Sequence, residues 1–345
     1  MARKMKAAVL TAPSTFEIRQ VPVPELKAGE IEVEVKACGV CGSDIGMWRA
    51  GESWSGAKNL IMGHEFCGIV VNPGDSDFKE GDRVLIYPTM YCGECEFCRT
   101  GRHNLCTKVA GTGYVGFAVN GGYAERYVGP ARLAHKIPEG LPFDEASLMD
   151  PFSVAYHALK LSRVKVDTKA LVVGSGVIGQ MMGSLLRLAG CSVIGLAYHN
   201  FRKVPNAQKM GDFTHYFDEN DPDVEQKMKD ATDGGFDVIF DCAGTELGYD
   251  FIFKAVRTGG QIVIIGCPEE KVKVDMMYIC QHELDVIGSP GQTEKEVDET
   301  LRLLSSDKIN GSVYITDHMK LDDLQLAFKR LTSRDDPVVK IIIEP

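Results

Sequence analysis

From Lys169 onward the chain alternates short apolar runs with helical stretches, an order that few folds accept. Ala170–Val173, Ser192–Ala197, Thr214–Phe217, Asp237–Asp241, Gln261–Gly266 and Leu284–Gly288 read as buried strands. Val177–Ala189, Phe201–Met210, Asp223–Thr232 and Leu247–Val256 read as the helices that separate most of them. Buried strands joined by helical crossovers predict a doubly wound parallel sheet, an α/β fold. Directly after the first strand comes Gly174-Ser175-Gly176-Val177-Ile178-Gly179, a G-x-G-x-x-G that opens a helix. Gly174 suits the tight turn, Gly176 lets a pyrophosphate approach the backbone, and Gly179 lets helix and strand pack closely. The unpaired N–H groups of the helix start, from Val177 on, then face the anion. This segment predicts dinucleotide binding.

A carboxylate for the adenosine ribose is expected at the end of the second strand, about 20 residues on. Here the chain reads Gly195-Leu196-Ala197-Tyr198-His199-Asn200, with Arg202 and Lys203 following. Without the acid the 2′-hydroxyl loses its acceptor, and nearby cations suit a 2′-phosphate. The cofactor is therefore NAD(P), with NADP favoured over NAD.

Upstream, residues 1–150 are strand-rich and broken by Gly, Pro and Asp. Lys6–Leu10, Glu30–Lys36, Cys67–Asn72, Asp82–Tyr87 and Gly122–Val128 are the expected strands, and Leu141–Val164 is expected to be helical. Four of the 11 cysteines, Cys92, Cys95, Cys98 and Cys106, follow as C-x2-C-x2-C-x7-C. Two-residue gaps let a tight loop aim successive sulfurs at one tetrahedral Zn²⁺. Iron–sulfur sites also begin this way, but the fourth spacing and the absence of a second set favour structural zinc. After Ser289 the chain adds helices at Glu294–Leu304 and Leu321–Leu331 and a strand at Val338–Ile343. Six strands already complete a dinucleotide sheet, so this tail is expected to pack on the first domain.

Composition narrows the function. The 345 residues carry 38 Lys+Arg against 48 Asp+Glu, a net charge of −10, which disfavours a nucleic-acid partner. The four-cysteine segment itself is nearly neutral, so a nucleic-acid zinc ribbon is a weak alternative. No apolar run reaches the ~18 residues of a membrane helix, and no secretory signal core is evident, so a cytoplasmic, membrane-free protein is expected.

Two further motifs, Ala37-Cys38-Gly39-Val40-Cys41-Gly42-Ser43-Asp44 and Gly63-His64-Glu65-Phe66-Cys67-Gly68, precede the cysteine lobe and the glycine loop. In this order the four motifs resemble the zinc-dependent medium-chain alcohol and polyol dehydrogenases across essentially the whole chain. The resemblance implies a GroES-like catalytic domain at 1–151, with the zinc lobe at 91–108. It also implies a Rossmann domain at 152–288 and a tail at 289–345 that returns to the catalytic domain, with the active site in the cleft. Cys41 and His64 then resemble catalytic zinc ligands, and Asp150 stands where the family places its third. Glu65 is similar to a family residue that stays near the metal and can replace water on it. Asp44 would orient His64, while Cys38 and Cys67 read as small buried apolar residues. Ser43 resembles the hydroxyl that passes on the alcohol proton; Gly46 occupies the position where many relatives continue that relay with a histidine. Family positions for cofactor contact fall on Ile178, on Ile265-Gly266-Cys267 and on Ser289-Pro290, and Lys203 matches a basic residue near the ribose.

With two zinc ions, the resemblance implies hydride transfer between NAD(P) and a small-molecule secondary alcohol, with ketone as product. The acidic third ligand and Gly42-Ser43-Asp44 place the chain with the sorbitol, threonine and galactitol-phosphate branches. Gly291-Gln292 replaces the Arg-Tyr pair of sorbitol-type members, and Ser153-Val154 departs from the threonine-type Gly-Asn. A polyol, sugar or sugar acid is the expected substrate; a threonine-like hydroxy compound and a non-catalytic dinucleotide-binding relative are the alternatives. Met47 and Trp48 are pocket-wall candidates or core. A homodimer or homotetramer is expected, with Leu284–Gly288 as a free sheet edge.

Overall fold

The computed structural model describes residues 3–53, 56–109, 113–268 and 271–345. They divide into two compact units, Met1–Pro151 with Gln292–Pro345, and Phe152–Gly291. Ser289–Gly291, expected in the tail, cluster with the second unit.

The first unit is built from β1 (Lys4–Ala12), β2 (Thr15–Pro22), β3 (Glu30–Gly39), β4 (Leu60–Ile61), β5 (Glu65–Asn72), β6 (Arg83–Ile86), β7 (Arg126–Pro130) and β8 (Ala134–Lys136). The second unit contributes β9 (Lys169–Val173), β10 (Val193–Tyr198), β11 (His215–Asp218), β12 (Phe236–Asp241), β13 (Val256–Ile264) and β14 (Asp285–Gly288). The tail returns β15 (Asp317–Lys320) and β16 (Ile341–Glu344) to the first unit.

In the first unit β3 is the organising strand. It pairs antiparallel with β5, β7 and β16, and Gly39 at its end lies opposite Glu65 of β5 and Ile342 of β16. Side chains alternate along β3, and its apolar residues Ile31, Val33 and Val35 are buried. Immediately after β3, Cys41 caps α1 (Gly42–Ala50), which ends on Gly51 at φ 70°. The sequence assigned no helix there, because two glycines spoil the apolar period. Its buried residues Met47 and Trp48 hold it instead, with Trp48 packed 5.5 Å from Phe328, so Trp48 belongs to the core.

Two expected strands shift for identifiable reasons. The first does not run over Gly122–Val128, since the ladder there begins at Arg126. Residues 123–125 instead bond alternately to two sheets: Ala8 N–H donates to Tyr123 O and Val35 N–H to Glu125 O. The last strand starts at Ile341 rather than Val338, because the N–H groups of Val339 and Lys340 donate to Thr316 Oγ1 at 2.9 and 3.2 Å. The expected helix 141–164 is two pieces, Phe143–Ala146 and Met149–Leu161.

The second unit is a six-stranded parallel sheet in the order β11-β10-β9-β12-β13-β14. β9 is buried on both faces, as a central parallel strand must be. The order reverses between β9 and β12, and ligands of such sheets bind beyond the strand ends at that switch point. The glycine loop follows β9 there. β13 begins at Val256, earlier than the expected Gln261, and ends at Ile264.

Candidate active site

Cys41, His64 and Glu65 converge because β3 and β5 are antiparallel neighbours with Gly39 opposite Glu65. Their potential ligand atoms lie within 4.8 Å of one another. Asp44 sits at the third position of α1 and accepts the Cys41 N–H at 3.1 Å through Oδ2. The same oxygen accepts the Tyr123 hydroxyl at 2.8 Å, and Asp44 Oδ1 lies 3.2 Å from His64 Nδ1. Asp44 therefore turns His64 so that Nε2 is the nitrogen left for a metal. Burial opposes a charge on His64, yet Asp44 and Cys41 hold its pKa well above the ordinary value.

Asp150, in the first turn of the helix Met149–Leu161, stands at the edge of this group. Its Oδ2 is 3.9 Å from His64 Nε2, and its Oδ1 accepts Gln292 Nε2 at 2.6 Å. Burial pushes its pKa up to about 6, against the opposing pull of His64. Ser43 is exposed and its hydroxyl donates to Cys41 Sγ at 3.1 Å. A Cβ at Gly46 would meet nothing within 4 Å among the described residues.

The sequence did not reveal what holds Glu65. Lys340, 1% exposed, pairs through Nζ with Glu65 Oε2 and donates to Val40 O at 3.0 Å. Gly39 makes room for this pair, since a Cβ there would lie 2.2 Å from Glu65 Oε2 and 2.9 Å from Lys340 Cε. The signal was present: a lysine inside Val338-Val339-Lys340-Ile341-Ile342-Ile343 must find a buried partner. Among the described residues, Glu65 Oε1 is buried with no hydrogen-bond partner. An orphaned carboxylate oxygen beside a thiol and an aimed imidazole fits a bound cation, and the N, S and O donors suit zinc.

Cys92, Cys95, Cys98 and Cys106 form a second group within 4.8 Å. The Sγ atoms of Cys92 and Cys95 lie 3.8 and 3.4 Å from that of Cys98. Tetrahedral zinc with ~2.3 Å bonds requires sulfurs about 3.8 Å apart. Backbone N–H groups of Cys95 and Cys98 point at the preceding sulfurs, and such hydrogen bonds lower the Cys95 pKa to about 6. Cys38 and Cys67 are fully buried thiols, and burial pushes both pKa values up.

In the second unit Gly174 turns at φ 107°, and a Cβ on Gly179 would fall 2.0 Å from Gly174 O. A Cβ on Gly176 would meet nothing, leaving open space at the N-terminus of the helix Val177–Leu188, where Ile178 also lies. Gly266, between Ile265 and the exposed Cys267, abuts Gly244 so closely that a Cβ would lie 2.4 Å from Gly244 N. Ser289 Oγ, followed by Pro290, is buried with no hydrogen-bond partner among the described residues. Tyr198 ends β10, and Asn200 caps the turn Phe201–Lys203 that carries Arg202 and Lys203. The carboxylate in register with Tyr198 is Asp218, which sequence reasoning missed; its Oδ1 turns into its own loop to accept Asn220 N–H at 2.9 Å.

Comparison with known proteins agrees with this arrangement of parts. Residues 27–139 match the alcohol dehydrogenase GroES-like domain, and residues 177–306 match the zinc-binding dehydrogenase family. The chain is 30% identical to (R,R)-butanediol dehydrogenase of Neisseria gonorrhoeae, over 99% of each chain. It is 29% identical to sorbitol dehydrogenase of Bacillus subtilis, over 99% of this chain and 98% of that one. The NADP-bound crystal structure of a zinc-binding dehydrogenase from Sinorhizobium meliloti superposes with a TM-score of 0.88 at 29% identity, covering 99% of this chain and 100% of that one. With a GroES-like domain, a Rossmann sheet and similarity running from end to end, the chain belongs to the zinc-dependent medium-chain alcohol and polyol dehydrogenases.

Proposed function

We propose that this oxidoreductase interconverts a secondary alcohol of a polyol, sugar or sugar acid with its ketone. The observation that carries the reading is the convergence of Cys41, His64 and Glu65, with Asp150 at 3.9 Å from His64 Nε2. Cys41, His64 and Asp150 would hold a catalytic zinc, Glu65 would serve as an exchangeable ligand, and Cys92, Cys95, Cys98 and Cys106 would hold a structural one. Zinc with an open position supplies Lewis-acid polarisation of the substrate oxygen, and the nicotinamide supplies the hydride acceptor. The chain's own part is orientation and proton handling. Ser43 Oγ would take the alcohol proton while releasing its own hydroxyl proton, which passes on through water or the Glu65 carboxylate because position 46 is glycine. Asp44 keeps His64 in one ring orientation through the reaction.

Gly174, Gly176, Val177, Ile178 and Gly179 would hold the pyrophosphate, with Ile265, Gly266, Cys267, Ser289 and Pro290 contributing mostly backbone contacts. NADP is favoured, since Tyr198 stands where an acid would serve NAD and Asp218 is engaged in its own turn. Arg202 and Lys203 would meet the 2′-phosphate. The exposed Val286 on the sheet-edge strand β14, with Met276 and Met277 about two-thirds exposed nearby in sequence, supports a homodimer or homotetramer paired along that edge.

Initial rates on polyols, sugars and sugar acids, each with NAD⁺ and NADP⁺, test the reading alongside zinc content. Turnover of a secondary alcohol with two zinc ions per chain is expected. One zinc per chain and unchanged turnover in Cys41→Ala would overturn it. Turnover with NAD⁺ alone would retire the roles given to Arg202 and Lys203.

A further inference from the structure

We propose that Gln292 is a positioning residue that fixes which oxygen of Asp150 faces the metal. The inference rests on the reading of Asp150 as a ligand. Asp150 is 7% exposed, and its two oxygens face different neighbours. Oδ1 accepts Gln292 Nε2 at 2.6 Å, while Oδ2 lies 3.9 Å from His64 Nε2. An amide donor on one oxygen leaves the other as the single ligand atom and holds the carboxylate against rotation. Aspartate has a short side chain, so its reach toward a metal depends closely on that rotation.

Gln292 is itself held in place. It is 4% exposed, and its carbonyl accepts the hydroxyl of the fully buried Tyr87 at 2.7 Å. The next residue, Thr293, caps the helix Glu294–Leu304, its N–H donating to Glu296 Oε2 at 2.8 Å. Gly291 precedes it at φ 55°, a backbone conformation favoured by glycine. Tyr87, Gly291 and the helix cap together fix the backbone from which one amide reaches Asp150. The Gly291-Gln292 pair that sets this chain apart from sorbitol-type sequences thus has a task inside the metal site.

The test loads full-length protein with Co²⁺ or Zn²⁺ and measures metal affinity by chelator competition, together with the Co²⁺ d–d spectrum. Gln292→Met keeps the side-chain length and removes the donor. We expect catalytic-site affinity to fall about 10–100-fold and the d–d bands to shift, while the Cys92–Cys106 site keeps its metal. Gln292→Glu, polar and of the same shape, replaces donor with acceptor and should lose affinity at pH 8. Affinity within twofold of wild type and unshifted bands in either variant would overturn the proposal. Asp150→Asn separates the two levels. If it binds metal as wild type does, the ligand reading fails; if it loses metal while Gln292→Met does not, only the role of Gln292 fails.

Discussion

Replacing Lys340 with Met isolates the energetics of the buried Lys340–Glu65 pair beside Cys41 and His64. Both side chains of the pair are at most 1% exposed, and Lys340 Nζ also supplies the 3.0 Å bond to Val40 O. Burial alone would favour the neutral amine, but Glu65 and Cys41 hold the Lys340 pKa above the ordinary value. Methionine fills nearly the same space, so the cavity cost is small and the loss is electrostatic. Removing one partner of a buried pair strands the other charge, which costs about 3–5 kcal/mol. A zinc ion at Cys41 and His64 compensates part of the stranded charge, so the loss should be larger in metal-free protein than in zinc-loaded protein. Trp48 is buried in the first unit, so urea unfolding followed by its fluorescence reports on that unit. The double variant Lys340→Met/Glu65→Gln removes the stranded charge and should recover at least ~1 kcal/mol relative to Lys340→Met, a coupling that a double-mutant cycle reads directly. A loss below ~1 kcal/mol in the metal-free single variant, or strict additivity in the double, would refute the reasoning.

Gly179→Ala places a methyl 2.0 Å from Gly174 O and should cost about 1–3 kcal/mol in addition to cofactor affinity. Gly176→Ala, which meets nothing within 4 Å, should leave thermal stability unchanged and weaken dinucleotide binding at least ~10-fold, as titrated by cofactor fluorescence. Cys95→Ser should release only the lobe zinc, lowering the thermal midpoint while metal at Cys41 and His64 remains; equal loss at both sites in metal analysis would contradict independent centres. Asp150 has a pKa near 6 in metal-free folded protein against an ordinary 3.8, so the fold binds its proton more tightly than the unfolded chain does. Its contribution to metal-free stability is therefore present at low pH and lost as pH rises through about 6. Zinc requires the ionised carboxylate, so catalytic-site zinc affinity should fall as pH drops through about 6, measured by competition between pH 5 and 8.

The features legible in the sequence are those whose chemistry is local. The glycine loop states a backbone requirement within six residues, and the cysteine lobe states a coordination number within 15. The central strands β9, β10 and β12 stood out because burial on both faces leaves continuous apolar runs, whereas the edge strands β11 and β14, expected to be buried, are only partly so. Helix α1 did not stand out, because Gly42–Ala50 carries two glycines and folds through the Cys41–Asp44 capping box and the burial of Met47 and Trp48. The early start expected for the strand at Gly122, four residues before the ladder begins at Arg126, has the same root. That segment is apolar enough for a strand, but its backbone divides its bonds between two sheets, which no local pattern encodes. Asp150 was placed by family resemblance alone, since an Asp-Pro at a helix start says nothing about a ligand.

What remained hidden at the site follows from register. Three strands meet at the end of β3, and Gly39 is their common partner, opposite Glu65 on one side and Ile342 on the other. Pairing with β5 brings His64 and Glu65 to the turn that carries Cys41 and Asp44. Pairing with β16 brings Lys340, from the far end of the chain, against the carboxylate that would otherwise be buried unpaired. A glycine is needed at the crossing because the ion pair occupies the volume of its missing Cβ. The tail thus supplies a charge beside Cys41, His64 and Glu65, and Gln292 and Lys340, from its two ends, hold Asp150 and Glu65 respectively. Returning the chain to the first unit after the dinucleotide sheet is what gives each of these two buried carboxylates its own donor, Gln292 for Asp150 and Lys340 for Glu65.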